Sequence, residues 1–494
     1  MPASQSSQVS PSPAPLDTEA LLAALPARIA DLPRRIAART PEHPALIEDA
    51  RRLSYAELVA AIDASAAQLR ALGVRGGDRV MIVAENSIAQ IVLLFAAATL
   101  DAWALLANAR LSAAELDAIA AHARPRAIAF VTATSPDAAA HAARHRALPA
   151  AAGEPDIGTW AVALDPGTHA EAVEAEGARQ CAALIYTTGT TGMPKGVMLS
   201  HRNLLFIATV SSTLRLAPRF VPEAVRRALA DECVTIFQGV PAMHAKLLDH
   251  LQAHGHAWQA PQLRFVYSGG SPLDADLKAR VERVYGLPLH NGYGMTESSP
   301  TVAQTLLEAP RGDCSVGVPI PGIEVRLVDP ELHEVPPGEV GEILVRGPNV
   351  MLGYYRNPEA THAAVTAEGW LRTGDLARAA ADGSLSIAGR SKELIIRSGF
   401  NVYPAEVEHV LNAHPAVLQS AVIGRAVPGN EEVLAFVELT PGVTLAADEL
   451  DAWCAARLAP YKRPARIVTV EALPAASTGK VLKHWLREHA AYKD

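Results

Sequence analysis

One stretch limits what this chain can fold into more than any other, and it covers residues 181–203, CAALIYTTGTTGMPKGVMLSHRN. Its apolar run Ala182–Tyr186 predicts a buried strand that leads directly into a loop of threonines, glycines and one lysine. Glycines let backbone amides approach an anion closely, threonine hydroxyls add hydrogen-bond donors, and the lysine adds positive charge. The stretch therefore predicts a phosphate-binding loop, followed by a strand over Val197–Leu199 and a helix that Ser200 caps.

The spacing of this loop differs from that of the P-loop in kinases and GTPases. A P-loop needs a glycine, four further residues and then Gly-Lys-Ser/Thr, whereas here Pro194 stands directly before Lys195. A phosphotransferase of that type is therefore disfavoured. A flexible surface hairpin is the alternative interpretation, but four threonines, three glycines and a lysine between two apolar runs favour phosphate binding.

Composition places the chain among globular proteins and disfavours several classes of function. With 494 residues, of which 49% are hydrophobic, it can bury a large core and should form more than one domain. The formal charge of −8, with no basic stripe, disfavours a nucleic-acid-binding scaffold. The four cysteines form no CxxC pair, which indicates a reducing compartment rather than a disulfide framework. We therefore expect a soluble, cytoplasmic protein.

Three closely spaced histidines, His250, His254 and His256, form the cluster that most suggests a metal site. The chain has no HExxH motif, and no cysteine or carboxylate stands at a matching spacing beside these histidines. We interpret them as solvated side chains near the end of a helix. The sequence does not indicate zinc.

Two segments bear on membrane targeting. Residues 1–15, MPASQSSQVSPSPAP, lack the charged start and apolar middle of a signal peptide, and they predict a disordered tail. The most apolar run, Ile91–Ala109, is interrupted by Asp101, so we interpret it as a buried core helix. The sequence thus predicts no transmembrane segment.

The order of strand-like and helix-like segments indicates the domain organisation. They alternate from Pro44 to about Pro300, which predicts parallel strands with covering helices, and from about 316 to 388 short strands with glycine and proline turns take over. The predicted fold class is α/β, with a large N-terminal domain of parallel sheets and covering helices, a β-rich subdomain, and a small mobile α+β C-terminal domain. The predicted boundaries are a tail over 1–15, the large domain over 16–388, a hinge over 389–392 and the C-terminal domain over 393–494.

Five further motifs combine glycines with side chains that bind ligands. They are YSGGSPL (267–273), NGYGMTE (291–297), GWLRTGDLA (369–377), GRSKELIIRSGFNVYPAEVE (389–408) and PAASTGKVLKHWL (474–486). The glycines of the first leave room for a flat ring, and the aspartate of the third suits paired ribose hydroxyls. In the second, Tyr293 suits a base, Thr296 a phosphate and Glu297 Mg²⁺. Taken singly, each is more often structural, and an isolated C-terminal lysine usually faces solvent.

In this order, the motifs resemble those of the adenylate-forming acyl-CoA synthetase and ligase superfamily, the AMP-dependent synthetases and ligases. The resemblance runs from about Ala45 to about Arg487, and it makes 16–388 an AMP-binding adenylation domain and 393–494 its lid. It implies ATP-dependent activation of a carboxylic acid, fatty or aryl, to acyl-AMP with release of pyrophosphate, and then transfer to coenzyme A. Mg²⁺ would be required. Two alternatives stay open: loading of a carrier-protein phosphopantetheine, and a catalytically impaired nucleotide- or acyl-binding derivative.

The resemblance also assigns roles to residues. The β- and γ-phosphates of ATP would be held by Thr187, Thr188, Gly189, Thr190, Thr191, Gly192 and Lys195. The adenine would be lined by Gly269, Gly270 and Ser271 and flanked by Tyr293, and the ribose hydroxyls would be bound by Asp375 and Arg390. The catalytic residues would be Thr296 on the α-phosphate, Glu297 on Mg²⁺, and Lys480, which bridges the substrate carboxylate and the α-phosphate. The hinge would be Lys392, and Gly399 would border the pantetheine channel.

One part of the chain departs from the family pattern. The family normally has a strand–helix–strand segment between the helix after the threonine-rich loop and the stretch that matches PRFVPEAVRRAL here. A parallel crossover unit needs roughly 30 residues, and the interval from Leu216 to Phe220 cannot hold one. We expect either an open acyl pocket beside an exposed apolar sheet edge, or a locally disordered domain and an impaired enzyme.

Overall fold

Secondary structure follows the predicted alternation through most of the chain. The computed structural model describes residues 18–151, 153–187, 195–208, 214–398, 400–427, 430–440, 442–445, 447–474 and 481–488. Its helices are α1 Thr18–Ala24, α2 Asp31–Ala37, α3 Tyr55–Ala71, α4 Ile88–Thr99, α5 Ala113–Ala123, α6 Pro136–Arg144, α7 His201–Ile207, α8 Pro222–Asp231, α9 Pro241–His254, α10 Ala275–Tyr285, α11 Pro358–Ala364, α12 Pro404–Asn412, α13 Ala447–Ala455 and α14 Lys483–Glu488. Short 3₁₀ turns cover Thr296–Ser298, Ser391–Glu393 and Pro460–Lys462.

The strands fall into a large domain and a small C-terminal one. Those of the large domain are β1 Pro44–Glu48, β2 Arg51–Ser54, β3 Arg79–Ala84, β4 Trp103–Asn108, β5 Ala127–Val131, β6 Leu148–Pro149, β7 Trp160–Leu164, β8 Cys181–Thr187, β9 Lys195–Ser200, β10 Leu214–Leu216, β11 Ile236–Gly239, β12 Phe265–Ser268, β13 Leu289–Gly294, β14 Thr301–Gln304, β15 Val318–Pro319, β16 Glu324–Val328, β17 Val340–Arg346, β18 Gly353–Tyr354, β19 Leu371–Ala379 and β20 Leu385–Arg390. Those that follow are β21 Ile395–Arg397, β22 Phe400–Val402, β23 Val417–Val427, β24 Asn430–Leu439 and β25 Arg466–Val470.

An eight-stranded sheet carries the threonine-rich loop and has the order β18-β9-β8-β4-β3-β5-β7-β6. Its central strands β8, β4, β3 and β5 are parallel, as predicted, while the strands on both sides of them are antiparallel. The sheet is mixed because β8 and β9 form a hairpin across the loop, with Thr187 opposite Lys195. Apolar clusters cover both faces, and they contain side chains of α3 and α4 on one face and of α5 and α6 on the other.

Capping residues fix the starts of the helices that cover this sheet. Ser54 accepts a hydrogen bond from the Glu57 amide, and the Glu57 carboxylate accepts one from the Ser54 amide. Ser112 and Glu115 form the same capping box at α5, and Ser200 caps α7 in the same way. Each such N-cap contributes about 1 kcal/mol. The predicted start of α7 after Ser200 is confirmed.

The prediction of one core helix over Ile91–Ala109 is wrong. The helix α4 ends at Thr99, the chain turns at Asp101 in a left-handed conformation with φ of 55°, and the second half becomes β4 between β3 and β8. The apolar period is ambiguous in such a run because a buried parallel strand is as continuously apolar as a buried helix. Within the described ranges, no helix is long and apolar enough to cross a membrane.

Two further sheets complete the large domain. Strands β11, β12 and β13 run parallel and are extended by antiparallel β14 and β15, with α9 and α10 packed in one apolar cluster against them. Strands β16, β17, β19 and β20 form an all-antiparallel sheet where the β-rich subdomain was predicted. In the described sheet β11 is an edge strand, and the side chain of Ile236 on it is 39% exposed. An apolar sheet edge is thus present after the short connection. The absence of the family's strand–helix–strand segment at this point stays a prediction.

The C-terminal part folds around a core of its own. Strands β23, β24 and β25 form a sheet that packs with α12, α13 and α14 through two apolar clusters, and β21 and β22 form a hairpin. A surface contact joins this part to the large domain, with His409 Nδ1 3.5 Å from the Asp274 carboxylate. The α/β fold class, with a large domain before a small one, is confirmed. The boundaries at 388 and 392 stay predictions, and residues 1–15 lie outside the described ranges.

Candidate active site

The loop lysine lies beside the carboxylate that was predicted to hold Mg²⁺. Lys195 begins β9, and its Nζ is 5.0 Å from the ring centroid of Tyr354 on the neighbouring strand β18. The Tyr354 hydroxyl donates a hydrogen bond of 2.9 Å to Oε1 of Glu297. Glu297 is only 7% exposed, and its backbone carbonyl accepts a bond of 2.9 Å from the Met351 amide. Burial, together with the Glu297 charge, raises the pKa of Tyr354, so this phenol stays a donor.

A second buried carboxylate is held by the residues predicted to bind adenosine. Asp375 is 5% exposed, and its Oδ2 accepts a hydrogen bond of 2.6 Å from the Tyr293 hydroxyl. Its Oδ1 lies 2.9 Å from Nε of Arg390, which stands opposite it on the adjacent strand. Burial, followed by the Asp375 charge, raises the pKa of Tyr293. Asp375 and Arg390 are therefore adjacent, as a shared ribose site requires. Tyr293 contacts Asp375 from β13, just before the turn that carries Glu297.

One short segment of the chain, residues 293–297, contacts or contains both buried carboxylates. Tyr293 is the penultimate residue of β13, and Thr296, partly buried, and Glu297 lie in the 3₁₀ turn that follows the strand. Glu297 is linked to Lys195 through Tyr354, and Tyr293 is hydrogen-bonded to Asp375. Contacts from strands far apart in sequence thus converge on one short segment, residues 293–297.

The glycine turn after β12 is shaped by a tyrosine of this chain. Gly270 has φ of 78°, a conformation that favours glycine, and the Gly269 amide bonds to the Gly239 carbonyl at 3.2 Å. A Cβ atom built on Gly292 would lie 2.1 Å from the Tyr267 hydroxyl, and one on Gly269 would lie 2.9 Å from its ring. The flat ring that packs against these glycines is thus that of Tyr267. Ser271, partly buried, follows in the same turn.

The predicted hinge lies beside a cluster of charges that sequence reasoning missed. Lys392 is exposed in the 3₁₀ turn between β20 and β21. The next residue, Glu393, lies 2.8 Å from Nζ of Lys483, which is also 2.8 Å from Glu408. Burial by itself would lower the pKa of Lys483, but Glu408 and Glu393 outweigh it and the pKa is raised. Lys483 thereby connects α14 to the predicted hinge and to α12.

Several predicted site residues lie outside the described ranges. These are Thr188, Gly189, Thr190, Thr191 and Gly192 of the loop, Gly399 of the turn in the C-terminal part, and Lys480. Thr187, at the end of β8, is the loop residue that pairs with Lys195.

Two contributors to the site were not found from the sequence. Tyr354 lies in a two-residue strand, and its carboxylate partner is 57 residues away. Lys483 pairs with a carboxylate 90 residues away. The one local hint for Lys483 is its position three residues after Lys480, at the start of an amphipathic helix.

Comparison with known proteins shows the family. The family model described as AMP-binding enzyme matches residues 33–220 and 204–355, and the model of the AMP-binding enzyme C-terminal domain matches residues 406–480. The chain belongs to the AMP-binding enzyme family. This confirms the resemblance drawn from the motifs and, with it, the enzyme class that the resemblance implies, an AMP-forming acid–CoA ligase.

Individual members of the AMP-binding enzyme family align over nearly the whole chain. A feruloyl-CoA synthase of Amycolatopsis sp. is 36% identical, and the match covers 92% of this chain and 97% of that protein. The structure of an anthranilate CoA ligase in complex with anthranoyl-AMP superposes with a TM-score of 0.82 at 25% identity, covering 94% and 98%. That of o-succinylbenzoate CoA synthetase from Bacillus subtilis, with ATP and magnesium, gives 0.78 at 28% identity, covering 93% and 99%.

Proposed function

We propose that this AMP-binding enzyme converts a carboxylic acid into its coenzyme A thioester in two steps on one ATP molecule. In the first, the carboxylate attacks the α-phosphorus, the bond to the β-phosphate oxygen breaks, and pyrophosphate leaves. In the second, the thiol of coenzyme A attacks the acyl-AMP carbonyl and AMP leaves. The observation that carries the proposal is that Lys195, through Tyr354, and the Asp375–Arg390 pair, through Tyr293, both contact the short segment 293–297 that ends in Glu297.

Positive charge has a defined task in the first step because two anions must approach each other. Lys195, with the threonine-rich loop before it, would hold the β- and γ-phosphates that depart as pyrophosphate. Lys480 would lie between the substrate carboxylate and the α-phosphate, where the transition state concentrates negative charge. One preorganised contact of this kind is worth about 10²- to 10³-fold in rate.

The residues around Glu297 fit a magnesium ion. Carboxylate oxygens are the protein ligands that Mg²⁺ prefers, and the Tyr354 hydroxyl holds Oε1 of this buried carboxylate in place. A bound ion would neutralise charge on the phosphates. Tyr354 then acts as a positioning residue, since its hydroxyl orients the carboxylate.

The second step requires the coenzyme A thiol to reach the site where Lys480 stood in the first. We propose that the small domain rotates about Lys392, which withdraws Lys480 and brings the turn at Gly399 to the pantetheine channel. The surface contact between His409 and Asp274 supports this idea, because such a contact contributes little to stability and is easily exchanged.

We propose an aryl or fatty acid as the acyl substrate. In open α/β sheets ligands bind at the carboxyl ends of the parallel strands, and Gly239, Tyr267 and Gly292 lie at those ends of β11, β12 and β13. The ring of Tyr267 and the small glycines suit a flat ring or an unbranched chain. The names of the feruloyl-CoA synthase and anthranilate CoA ligase relatives favour the aryl acid.

The short connection before α8 would leave this acyl pocket open on one side. We propose that a segment of the family pattern is absent at this point, where the family model matches the chain in two pieces, residues 33–220 and 204–355. The exposed Ile236 on the edge strand β11 supports it further. We therefore expect broad acid specificity and high KM values for the acid, with ATP binding retained.

A panel of acids tests the function and its substrate class together. Purified protein is incubated with Mg·ATP, coenzyme A and one aryl, short-chain, medium-chain or long-chain acid, and AMP and thioester are measured by mass spectrometry. We expect equal amounts of AMP and thioester, most with an aryl or long-chain acid. AMP without thioester, but with acylation of a holo-carrier protein, would favour carrier loading. A folded protein that forms neither product with any acid would be the non-catalytic derivative.

A further inference from the structure

A cluster of metal-ligating side chains lies outside the candidate active site, where α8 packs against α9. Glu223 stands in the first turn of α8, His250 on α9 four residues before its end, and His256 two residues after that helix. One carboxylate oxygen and one nitrogen from each imidazole all lie within 4.8 Å of one another. The sequence suggested no carboxylate here because Glu223 is distant along the chain.

The backbone at the end of α9 fixes the position of His256. Gly255 adopts a left-handed conformation with φ of 62°, its amide bonds to the Gln252 carbonyl, and the His256 amide bonds to the Leu251 carbonyl. This pair of bonds is the Schellman arrangement that ends many helices. It turns the chain back, so that His256 stands beside His250 with ring centroids 5.9 Å apart.

Glu223 is held ionised and aimed at both imidazoles. Arg226 donates 2.8 Å hydrogen bonds to each carboxylate oxygen, and Arg227 donates one of 2.7 Å to Oε1. The Arg226 guanidinium, followed by His250 and Arg227, keeps the pKa of Glu223 well below its usual range. The other oxygen, Oε2, lies 3.1 Å from Nε2 of His250 and 4.0 Å from Nε2 of His256.

These separations match a tetrahedral ion of the zinc class. With metal–nitrogen and metal–oxygen bonds of about 2.0 to 2.2 Å, tetrahedral ligand atoms lie about 3.3 Å apart. The two distances to Oε2 bracket that value, and the exposed His256 side chain can rotate to close the remaining gap. Nδ1 of His254 donates to the His250 carbonyl at 2.9 Å. Its Nε2 therefore carries a lone pair beside the cluster, as ligating histidines do.

We propose that Glu223, His250 and His256 bind one zinc-class divalent ion, with water in the fourth position. Imidazole with a carboxylate suits Zn²⁺, Ni²⁺ or Cu²⁺ rather than Mg²⁺ or Ca²⁺, which take oxygen ligands. The ion replaces the hydrogen bond between His250 and Oε2, while the arginines keep their bonds. It thereby joins the start of α8 to the end of α9.

The arginines also set the strength expected of this site. Their two positive charges lie next to the proposed ion and repel it, although the exposed position weakens the repulsion. We expect micromolar rather than nanomolar affinity for Zn²⁺. Binding must fall on acidification, since a protonated imidazole has no lone pair for the metal.

Calorimetric titration of the untagged full chain with Zn²⁺ at pH 7.5 tests the proposal. We expect one saturable ion per chain, and at least tenfold weaker binding in His250→Ala and in His256→Ala. His409→Ala, which removes an exposed histidine of the C-terminal part, is the matched control and keeps wild-type affinity. Co²⁺ in place of Zn²⁺ should give the strong visible absorption of a tetrahedral site. Circular dichroism verifies that each variant is folded.

Two results would overturn the site. The first is a wild-type isotherm without saturation, or one that the His250→Ala/His256→Ala double variant reproduces. The second is unchanged affinity in Glu223→Gln, which keeps the size of the side chain and an acceptor oxygen but loses the charge, since the carboxylate would then not be a ligand. A loss of affinity in all three single variants, with His409→Ala unaffected, supports the three-ligand site.

Discussion

The large domain and the small domain hold their charged groups in different ways. In the large domain Glu297 and Asp375 are almost completely buried, and each accepts a hydrogen bond from a tyrosine hydroxyl. In the small domain Lys483 forms a largely buried ion cluster with Glu393 and Glu408, while the contact with the large domain, through His409, lies at the surface. Buried carboxylates fixed by hydrogen bonds are preorganised, whereas a surface contact can exchange partners. The difference suggests a rigid nucleotide site served by a domain that changes position.

The largest effect is expected from the lysine of the small domain. Lys480→Ala should lower the rate of acyl-adenylate formation by at least 10²- to 10³-fold, because the charge between the two reacting anions is lost. Thioester formation from supplied acyl-adenylate should stay near the wild-type rate. Single-turnover assays of each half-reaction measure both rates.

The rate of thioester formation in Lys480→Ala serves as the control for its rate of acyl-adenylate formation. Lys392→Ala at the hinge should slow the change between the two steps without removing the adenylation charge. An equal loss of both half-reactions in Lys480→Ala would show that the lysine has been misassigned.

A smaller effect is expected from the tyrosine that positions Glu297. Tyr354→Phe leaves a buried carboxylate without its hydroxyl donor, and a hydrogen bond to a charged group contributes about 1.5 to 3 kcal/mol. We expect the KM for Mg·ATP to rise about tenfold, with a smaller change in the KM for the acid. Steady-state kinetics at varied ATP concentration provide the measurement.

Tyr285→Phe is the matched control for this variant. The Tyr285 hydroxyl is buried without a hydrogen-bond partner among the described residues, and its ring stacks on Trp258. Its removal should leave both KM values unchanged. Equal changes in the two tyrosine variants would mean that Tyr354 acts only through packing.

The large domain should also show acid sensitivity of its own. His201 is buried, its Nδ1 accepts a hydrogen bond from the Ile29 amide, and burial, followed by the nearby Arg28, lowers its pKa to about 4. An unfolded histidine titrates near 6.5, so this group contributes stability above about pH 6.5 that is lost as the pH falls towards 4. The loss approaches about 3 kcal/mol.

Substitution of this histidine isolates its contribution. His201→Asn keeps an acceptor for the Ile29 amide but cannot be protonated, so its free energy of unfolding should fall less between pH 7 and pH 4.5. Denaturant titration of both proteins at each pH gives the comparison. If the free energy of unfolding falls equally with pH in the two proteins, the loss of stability in acid comes from other groups.

The smaller of the two expected effects on stability concerns the ion cluster beside the predicted hinge. Lys483→Met leaves Glu393 and Glu408 close together without their common partner, which we expect to cost about 2 kcal/mol of stability in the small domain. Because the lysine pKa is raised and that of Glu393 is lowered, the contribution is present between about pH 4.5 and 10.5. It is lost as the pH rises through the folded pKa of the lysine, or falls through that of Glu393.

Hydrogen exchange locates this change in the molecule. Amides of α14 and α12 should lose protection in Lys483→Met, while those of the eight-stranded sheet should not. Loss of protection throughout both domains would contradict the separation between them.

Local patterns predicted much of the fold and of the nucleotide motifs. The helix start at Ser200 could be predicted because its cap is a contact between residues three apart. The prediction of one helix over Ile91–Ala109 was wrong because a segment buried on both sides is apolar throughout. It therefore lacks the periodicity that distinguishes a helix from a strand. Tyr354 and Lys483 could not be found, since their partners are 57 and 90 residues away and follow only from the three-dimensional pairing of strands and helices.

The central claim is that motifs spread along the chain bind one Mg·ATP. A carboxylic acid then attacks its α-phosphorus, and the bond between the α- and β-phosphates is broken. Exchange of labelled pyrophosphate into ATP measures this step without coenzyme A. We predict exchange that requires both a carboxylic acid and Mg²⁺ and that is strongly reduced in Glu297→Gln. Acid-independent exchange, or none with any acid in a folded protein, would contradict the account.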